Sequence, residues 1–276
     1  MKHILVAIII LVSTLPLKAQ SDYDQRLFFN LSGGLINYGG DLQNKSFTLN
    51  QANVAYGIGA TYQFWNNFSI TASFTRGKIG AADAKGSPDH AIRNLSFFSN
   101  ITEGSAVFEA SLFDVPGDQK ISPYVYEGIA FFHMNPYTFD PSGNKVYLQP
   151  LGTEGQGLPE YGNKKKYKLL QFAIPVGVGV KYALSDNVMI SAEFGFRKTF
   201  TDYMDDVSGP GYADTAIIRA ARGPLASKLS FRGDELNPPQ GLSNTIPRGN
   251  PGNKDVYYTC LVKLSFSFRG AGIFNR

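Results

Sequence analysis

The segment VMISAEFGFRKTF, residues 188–200, combines two incompatible surfaces in one short stretch. Its apolar residues recur at every second position, which is the spacing of side chains that share one face of a β-strand. They are Val188, Ile190, Ala192, Phe194 and Phe196. Glu193 and Arg197 occupy the opposite face. One face of this strand therefore requires apolar surroundings along its length, while the other carries full charges.

Seven other segments of the chain alternate with the same period, so the sequence predicts eight β-strands. Their approximate bounds are 27–38, 53–64, 68–76, 95–113, 121–134, 169–182, 188–200 and 255–268. No run of about 18 apolar residues follows residue 19, so no transmembrane helix is expected. Eight is an even number and the smallest number of strands with which transmembrane β-barrels close.

The connections between these strands alternate between short and long. The short ones are the polar segments WNN, DVPGDQK and ALSDN, and the long ones are about 39–52, 77–94, 135–167 and 201–254. Outer-membrane barrels have short turns on the periplasmic side and longer loops outside. The sequence therefore predicts an all-β fold, an eight-stranded antiparallel transmembrane β-barrel with four long extracellular loops, short periplasmic turns and both termini in the periplasm.

A soluble two-sheet sandwich is the alternative architecture, because its strands also alternate. The placement of large aromatic residues distinguishes the two. Aromatic side chains gather at the short-turn end of the predicted strands, at Tyr62, Phe64, Trp65, Phe68 and Tyr182. The aromatic girdle of a membrane barrel explains this placement, whereas the buried core of a sandwich does not.

The N-terminus has the features of an exported protein. Lys2 precedes the apolar run ILVAIIILV, and residues 1–19 end in LPLKA, the pattern of a secretory signal peptide. We therefore expect the mature chain to begin near Gln20 and residues 20–276 to form the barrel. The formal net charge of +4 over 276 residues is too small to indicate nucleic-acid binding. Export and the barrel pattern together predict the cell outer membrane as the location.

If the apolar strand faces contact lipid, the charged faces point into the barrel. Six charged residues occupy the predicted inward faces, namely Glu109, Glu127, Lys181, Glu193, Arg197 and Lys263. In the fifth strand the charge of Glu127 decides the assignment. The lipid side of that strand is then Tyr124, Tyr126, Gly128, Ala130 and Phe132. Because eight strands enclose little more than their own side chains, the sequence predicts an ion-paired lumen plug in which Glu193 and Lys263 are near neighbours.

Little in the sequence supports catalysis. The mature chain has two histidines, His90 and His133, and His133 with Ser99 is the candidate pair for a lipid-modifying hydrolase. No G-x-S-x-G motif accompanies this serine. We therefore expect a non-enzymatic protein with no cofactor.

Three loop features have more than one interpretation. Asp202, Asp205 and Asp206 in TDYMDDVSG could bind Ca²⁺, but the twelve-residue calcium-loop pattern is missing, which favours a solvated or helix-capping loop and no metal site. The lysines of NKKKYK, Lys164–Lys166 and Lys168, could meet lipopolysaccharide phosphates or form a charged loop end. Loops 135–167 and 201–254 are rich in Pro, Gly and aromatic residues, which predicts compact packing over the barrel mouth.

Five further stretches resemble one protein family. They are NYGGDL (37–42), SPYVYEGIAFFHMNP (122–136), LQPLGTEGQGL (148–158), TDYMDDVS (201–208) and NKDVYY (253–258). Together they are similar to the PorG-like outer-membrane β-barrels of Bacteroidetes, which include a component of the type IX secretion system. The resemblance covers nearly all of the mature chain. It implies a non-enzymatic barrel that associates with the periplasmic ring of the lipoprotein PorK and its partner PorN.

Two functions therefore remain open besides the weakly supported hydrolase. The first is a structural component of the type IX secretion machinery. The alternative is a free-standing barrel whose outer loops bind a surface ligand, a partner or lipopolysaccharide. For a periplasmic partner, the tail RGAGIFNR supplies apolar anchors at Ile273 and Phe274, or it is a frayed terminus or part of the barrel-assembly signal.

Overall fold

Eight long strands and one short hairpin form the β-sheet of the part of the chain that the structure describes. The computed structural model describes residues 26–43, 47–86, 88–117, 119–162, 164–242 and 247–267. The predicted signal peptide 1–19 and the tail residues Ile273 and Phe274 lie outside these ranges. The strands are β1 (Arg26–Gly39), β2 (Asn53–Trp65), β3 (Phe68–Ala82), β4 (Ser96–Ser111), β5 (Ile121–His133), β6 (Tyr137–Phe139), β7 (Lys145–Tyr147), β8 (Leu170–Ser185), β9 (Val188–Thr199) and β10 (Val256–Ser267).

The eight long strands close into a barrel in which every neighbouring pair is antiparallel. Their order is β3-β2-β1-β10-β9-β8-β5-β4, and pairing of β3 with β4 closes the sheet. The short hairpin β6–β7 extends the wall at one point, where Tyr137 pairs with Phe98 of β4. The predicted eight-stranded barrel is therefore confirmed, and the strands lie close to their expected bounds. The clearest differences are β3, which continues to Ala82, and β8, which continues to Ser185.

Side-chain exposure alternates along the strands, as a barrel with an apolar outer surface requires. The outward residues of seven strands are the ones that the sequence pattern places on the apolar face. Examples with more than a third of their surface exposed are Phe29, Leu31, Ile58, Ile70, Phe74, Phe108, Val178, Ile190 and Val262. The predicted phase of these seven strands is confirmed.

The predicted phase of β5 is wrong. Tyr124, Tyr126 and Phe132 are buried inside the barrel, and Glu127 lies on the outer surface with Val125 and other apolar residues. The tyrosines explain the inversion, because a phenol pairs a large apolar ring with a polar hydroxyl. Inside the barrel, the hydroxyl of Tyr124 donates to Glu193 at 2.8 Å. In β5 the tyrosine hydroxyls, and not the single charge of Glu127, indicate the inward face.

Pro175 interrupts the ladder between β5 and β8. Glu127 pairs with Val176 and Ala130 with Ala173, but the two residue pairs between them are not matched. Proline has no backbone N–H to donate, so a local loss of pairing opposite Pro175 is expected. The register on the two sides of the gap is the same, and the wall continues.

A compact cap covers the long-loop end of the barrel. It contains the helices Thr215–Arg222 and Pro224–Ser230, and its apolar core is continuous with residues of the strands. Leu148, Met204 and Val207 of the loops pack in the same buried cluster as barrel residues such as Phe132. The predicted compact packing of loops 135–167 and 201–254 is confirmed. None of the helices among the described residues is both long enough and apolar enough to span a bilayer.

Candidate functional site

The lumen is filled in layers, beginning with an apolar cluster at the short-turn end. Phe28, Val115, Ala183 and Met189 pack together there, and Phe28 has none of its surface exposed. They come from β1, from the connection between β4 and β5, and from the β8 and β9 strands that meet at a tight turn. This cluster blocks that mouth of the barrel.

Above the apolar cluster lies a network of four charged side chains. Lys181 of β8 pairs with Glu109 of β4 at 2.8 Å. Lys263 of β10 lies 3.5 Å from Glu109 and 3.3 Å from Glu193 of β9. Thr71 and Tyr124 donate further hydrogen bonds to Glu109 and Glu193, respectively. Two lysines thus neutralise two glutamates within the barrel, which limits the cost of burying each charge.

A second charged group lies closer to the cap. Arg197 donates two hydrogen bonds to Glu103, one to each carboxylate oxygen and both at 3.2 Å. Its third guanidinium nitrogen donates to the hydroxyl of Thr259 at 2.6 Å. The hydroxyl of Tyr257 donates to Glu103 at 2.5 Å. The two-point contact between Arg197 and Glu103 matches the planar fork of arginine to a carboxylate. Glu103 was not among the predicted plug residues, although it shares the inward parity of Glu109 in the same strand.

The structure places five of the six predicted plug residues in the lumen and excludes the sixth. Glu109, Lys181, Glu193, Arg197 and Lys263 lie inside, and they make the contacts given above. Glu127 faces outward, paired along the wall with Phe108 of β4 and Val176 of β8. Glu103 takes the place that the prediction gave to Glu127 as the third lumen acid.

The space left between these side chains is small. A cavity beside Thr71, Glu109 and Arg197 has a volume of about 30 Å³. A water molecule needs at least about 10–15 Å³ of such space, so this cavity holds one or two waters and not a hydrated channel.

At the top of the barrel, loop residues meet in a buried hydrogen-bonded cluster. The hydroxyl of Tyr38 lies 2.6 Å from Asp205 and 2.9 Å from Asp255. Asp255 also accepts the backbone N–H of Met204, and Asp205 accepts that of Val207. Since a phenol has one proton to donate, a carboxylic proton on one aspartate satisfies the second contact. The cluster ties the ends of β1 and β10 to the long loop between β9 and β10.

Two buried arginines hold the same loops to one another. Arg93 pairs with Asp83 at 2.5 Å and donates to the backbone oxygens of Asp41 and Arg248. Arg248 in turn lies 3.3 Å from Glu154. The carboxylate of Glu154 accepts the backbone N–H groups of Ser208 and Gly209. One network therefore joins residues far apart in the sequence, which makes the cap a single body.

Burial shifts the pKa of several cap carboxyls upward. Burial raises the pKa of Asp206 to about 6, although Arg248 lowers it in part. The pKa of Asp41 is also raised to about 6, chiefly by burial and partly by the nearby carboxylate of Asp202. Burial holds the pKa values of Asp205 and Asp255 well above the usual range, and the nearby carboxylate of Asp41 adds to the shift of Asp205 as that of Asp205 adds to the shift of Asp255. Removing water disfavours the charged form of each group.

The structure does not bring the candidate hydrolase pair together. Ser99 is fully buried inside the barrel, where its hydroxyl accepts the backbone N–H of Asn135. His133 lies on the outer face of β5, opposite Thr102 of β4. The barrel wall therefore separates the two side chains.

The acidic loop and the lysine run are both used within the cap. Asp202 accepts from Ser208, Asp205 from Tyr38, and Asp206 from Thr153 and Tyr167. Among the described residues, no group of three or more His, Cys, Asp or Glu side chains is arranged to hold a metal ion. Lys164 pairs with Glu154 at 2.8 Å, and Lys166 donates to the backbone oxygen of Pro150.

Comparison with known proteins adds a family and several structural likenesses. The family model described as a domain of unknown function, DUF6089, matches residues 2–222. No curated protein matches the sequence. Ail of Yersinia pestis, in complex with the heparin analogue sucrose octasulfate, is 9% identical, with a TM-score of 0.40 over 90% of this chain and 100% of that chain.

Two other solved structures are similar to the same degree. Neisserial surface protein A is 11% identical, with a TM-score of 0.41 over 89% of this chain and 99% of its own. The outer membrane protein OprG of Pseudomonas aeruginosa is 8% identical, with a TM-score of 0.41 over 90% of this chain and 99% of its own. The closed barrel itself rests on the strand pairings of the present chain.

Proposed function

The chain belongs to the DUF6089 family, a domain family of unknown function. From its closed barrel and filled lumen we propose that it is a non-enzymatic β-barrel of the outer membrane. Its strands span the membrane, its termini lie in the periplasm and its cap stands outside the cell. In this function the barrel is a structural anchor and does not conduct solutes.

The filled lumen is the observation that carries this proposal. An apolar cluster, two groups of paired charges and the apolar core of the cap follow one another along the axis. A diffusion channel requires a continuous aqueous path, and eight strands leave room for little beyond their own side chains. The apolar outer surface supports a location in lipid, where a closed barrel pairs its backbone groups internally.

Planar-bilayer recording of the purified, folded protein tests the closed state. We expect no stable open channel under conditions in which a porin of known conductance is readily recorded. Heat-modifiable migration on gels establishes that the inserted protein is the folded barrel. A steady conductance from folded protein would overturn the proposal.

Whole-cell proteolysis tests the location and the orientation. We expect cleavage within the cap loop 201–254 by a protease added to intact cells. Protection of this loop until the cells are lysed would contradict the assigned orientation, unless removal of surface-bound partners restores cleavage.

We further propose that this barrel serves the type IX secretion system, in association with the periplasmic PorK/PorN ring. The motifs that resemble the PorG-like family support this. Three of them supply the Tyr38, Asp205 and Asp255 cluster, and a fourth supplies Glu154, so the matching residues bind one another in the cap. Loop residues with such a shared structural role are a more specific likeness than alternating strands.

Affinity purification from native membranes tests this association. We expect the ring proteins to be recovered with the full-length chain in mild detergent and to be identified by mass spectrometry. If the tail with Ile273 and Phe274 is the contact, deletion of residues 271–276 abolishes recovery while heat-modifiable folding is retained. Recovery of the folded barrel without any ring protein would favour the free-standing barrel that binds a surface ligand or lipopolysaccharide.

A further inference from the structure

The outer surface of β2–β5 changes from apolar to polar between one outward row of residues and the next, two positions along each strand. Ile58, Phe74, Gly104 and Phe131 form one lateral row of paired outward residues. The next row toward the cap consists of Tyr56, Arg76, Thr102 and His133. Beyond that row, Lys78 is paired with Asn100. We call Tyr56, Arg76, Lys78, Asn100, Thr102 and His133 the rim patch.

The rim patch occupies one side of the barrel. On the side formed by β8 and β9, the outward residues at the strand ends are the apolar Leu170, Phe172 and Phe200, interrupted by Lys198 of β9. No described arginine or second lysine joins Lys198 on the outward faces of these two strands. The polar surface is therefore not a uniform ring of the kind that simple contact with water would produce.

Among the described residues, no carboxylate forms an ion pair with Arg76 or Lys78 of the rim patch. Arg76 makes no hydrogen bond or ion pair with any described residue, whereas Arg197, inside the same barrel, has a two-point contact with Glu103. The outward carboxylate on β5, Glu127, lies six residues from His133, which is about 20 Å along a strand. The guanidinium therefore presents five unused N–H donors at the edge of the apolar surface.

Aromatic rings flank these cations on the side of the cap. The ammonium of Lys78 lies 5.2 Å from the ring centre of Phe98, which packs against Tyr137 at 5.8 Å. Lys145 of the β6–β7 hairpin lies 3.9 Å from Tyr137 and 4.8 Å from Tyr147. Tyr137 is buried, but Tyr147 is 43% exposed, and its ring offers a stacking surface for a sugar ring next to these ammonium groups.

We propose that the rim patch binds the phosphorylated sugar headgroup of an outer-leaflet glycolipid. This inference rests on the proposed location of the barrel, which puts the rim patch at the headgroup level of the outer leaflet. Arg76 and Lys78 bind the phosphate, and arginine does so through two parallel N–H donors. The exposed ring of Tyr147 beside Lys145 packs against the sugar, and the acyl chains lie on the apolar row at Phe74 and Phe131.

Lipid binding to folded barrels in nanodiscs tests the site. The probes are bisphosphorylated lipid A and dephosphorylated lipid A, each added to phosphatidylcholine nanodiscs, with retained lipid counted by native mass spectrometry. We expect the wild type to retain the phosphorylated probe and the double variant R76A/K78A to bind it roughly tenfold more weakly or worse. The variant Lys145→Ala should weaken it by a smaller factor.

The control variant is Lys198→Ala, which removes an exposed outward lysine from the opposite side of the barrel. It should bind the phosphorylated probe as the wild type does. If R76A/K78A binds the phosphorylated probe as tightly as the wild type does, the site is wrong. It is also wrong if Lys198→Ala loses as much binding as R76A/K78A. Equal binding of the dephosphorylated probe would overturn the role of the phosphate.

Inorganic phosphate separates the two possible sources of the anion. If millimolar phosphate leaves lipid A binding unchanged, the glycolipid is the ligand. Complete displacement of lipid A by phosphate at the same concentration would overturn the glycolipid assignment. Cell fractionation tests the location independently. A folded barrel found outside the outer membrane would refute the proposed function even where the nanodisc site binds lipid A.

Discussion

Lys263 of β10 and Glu193 of β9 form an ion pair in the lumen, with the ammonium nitrogen 3.3 Å from a carboxylate oxygen. Lys263 also lies 3.5 Å from Glu109, so one ammonium stands between two buried carboxylates. Lys181 supplies the second positive charge of this group. The pairing of Lys263 with Glu193 follows from strand parity and turn positions, which place both residues at similar heights on adjacent strands.

Replacement of Lys263 by methionine should strongly destabilise the barrel. The substitution leaves Lys181 as the single lysine for two buried carboxylates, those of Glu109 and Glu193. Breaking a buried pair in this way costs about 3–5 kcal/mol. Urea unfolding in detergent micelles or phospholipid vesicles measures the effect. The control is Lys165→Met, which changes an exposed lysine of the cap. Unfolding of Lys263→Met at the wild-type urea concentration would contradict the plug.

Glu103 and Arg197 should show strong coupling in a double-mutant cycle. Either Glu103→Leu or Arg197→Met leaves one buried charge without its partner, so each should cost about 3–5 kcal/mol of unfolding free energy. The double variant removes both charges and should be more stable than either single variant. The same urea unfolding measures all three variants. If the losses of the two single variants simply add in the double variant, Glu103 and Arg197 are not coupled through their two-point contact.

Much of the barrel was predictable because alternation, turn length and aromatic placement all describe local or neighbouring relationships. The phase of β5 was predicted wrongly, because the single charge of Glu127 indicates one inward face and the hydroxyls of Tyr124 and Tyr126 indicate the other. Glu103 was accessible from the sequence, since it has the same inward parity as Glu109.

The cap could be predicted only as a compact covering. Its contacts join distant parts of the chain, such as Tyr38 with Asp255 and Arg93 with Arg248. No periodic pattern links such residues in one sequence. The acidic segment around Asp205 was therefore expected to be a solvated or helix-capping loop, with Ca²⁺ binding as the alternative, whereas its carboxylates are buried and bound by hydroxyl and backbone donors within the cap.

Replacement of Glu127 by leucine should stabilise the barrel in lipid. Glu127 is exposed on the outer face near the middle of β5, between Val125 and Ile129. An acid on the lipid-facing surface costs less than a lysine or arginine there, for which about 2–4 kcal/mol is typical, so a gain of about 1–2 kcal/mol is expected. Unfolding in phospholipid vesicles measures it. A loss of stability would instead indicate that Glu127 binds a group in the membrane.

The cap should be more stable in acid than at neutral pH. Asp41 and Asp206 have pKa values of about 6 in the folded protein, and those of Asp205 and Asp255 are also raised. Unfolded aspartate has a pKa near 3.9, so between about pH 4 and 6 the folded cap binds protons that the opened cap releases. Stability from this source is complete below about pH 4 and is lost as the pH rises through these folded values.

Hydrogen exchange of the loop 201–254 at about pH 5 and about pH 8, corrected for the intrinsic exchange rate, measures this loss of protection. The double variant D205N/D255N replaces two carboxyls by neutral groups of the same shape, so it should reduce the pH dependence. Asp234→Asn is the control, because Asp234 forms a half-exposed pair with Lys228 at the cap surface and should leave the dependence unchanged. Protection that rises toward alkaline pH in the wild type would mean that the cap carboxyls are bound as anions, and the proton shared around Tyr38 would then be excluded.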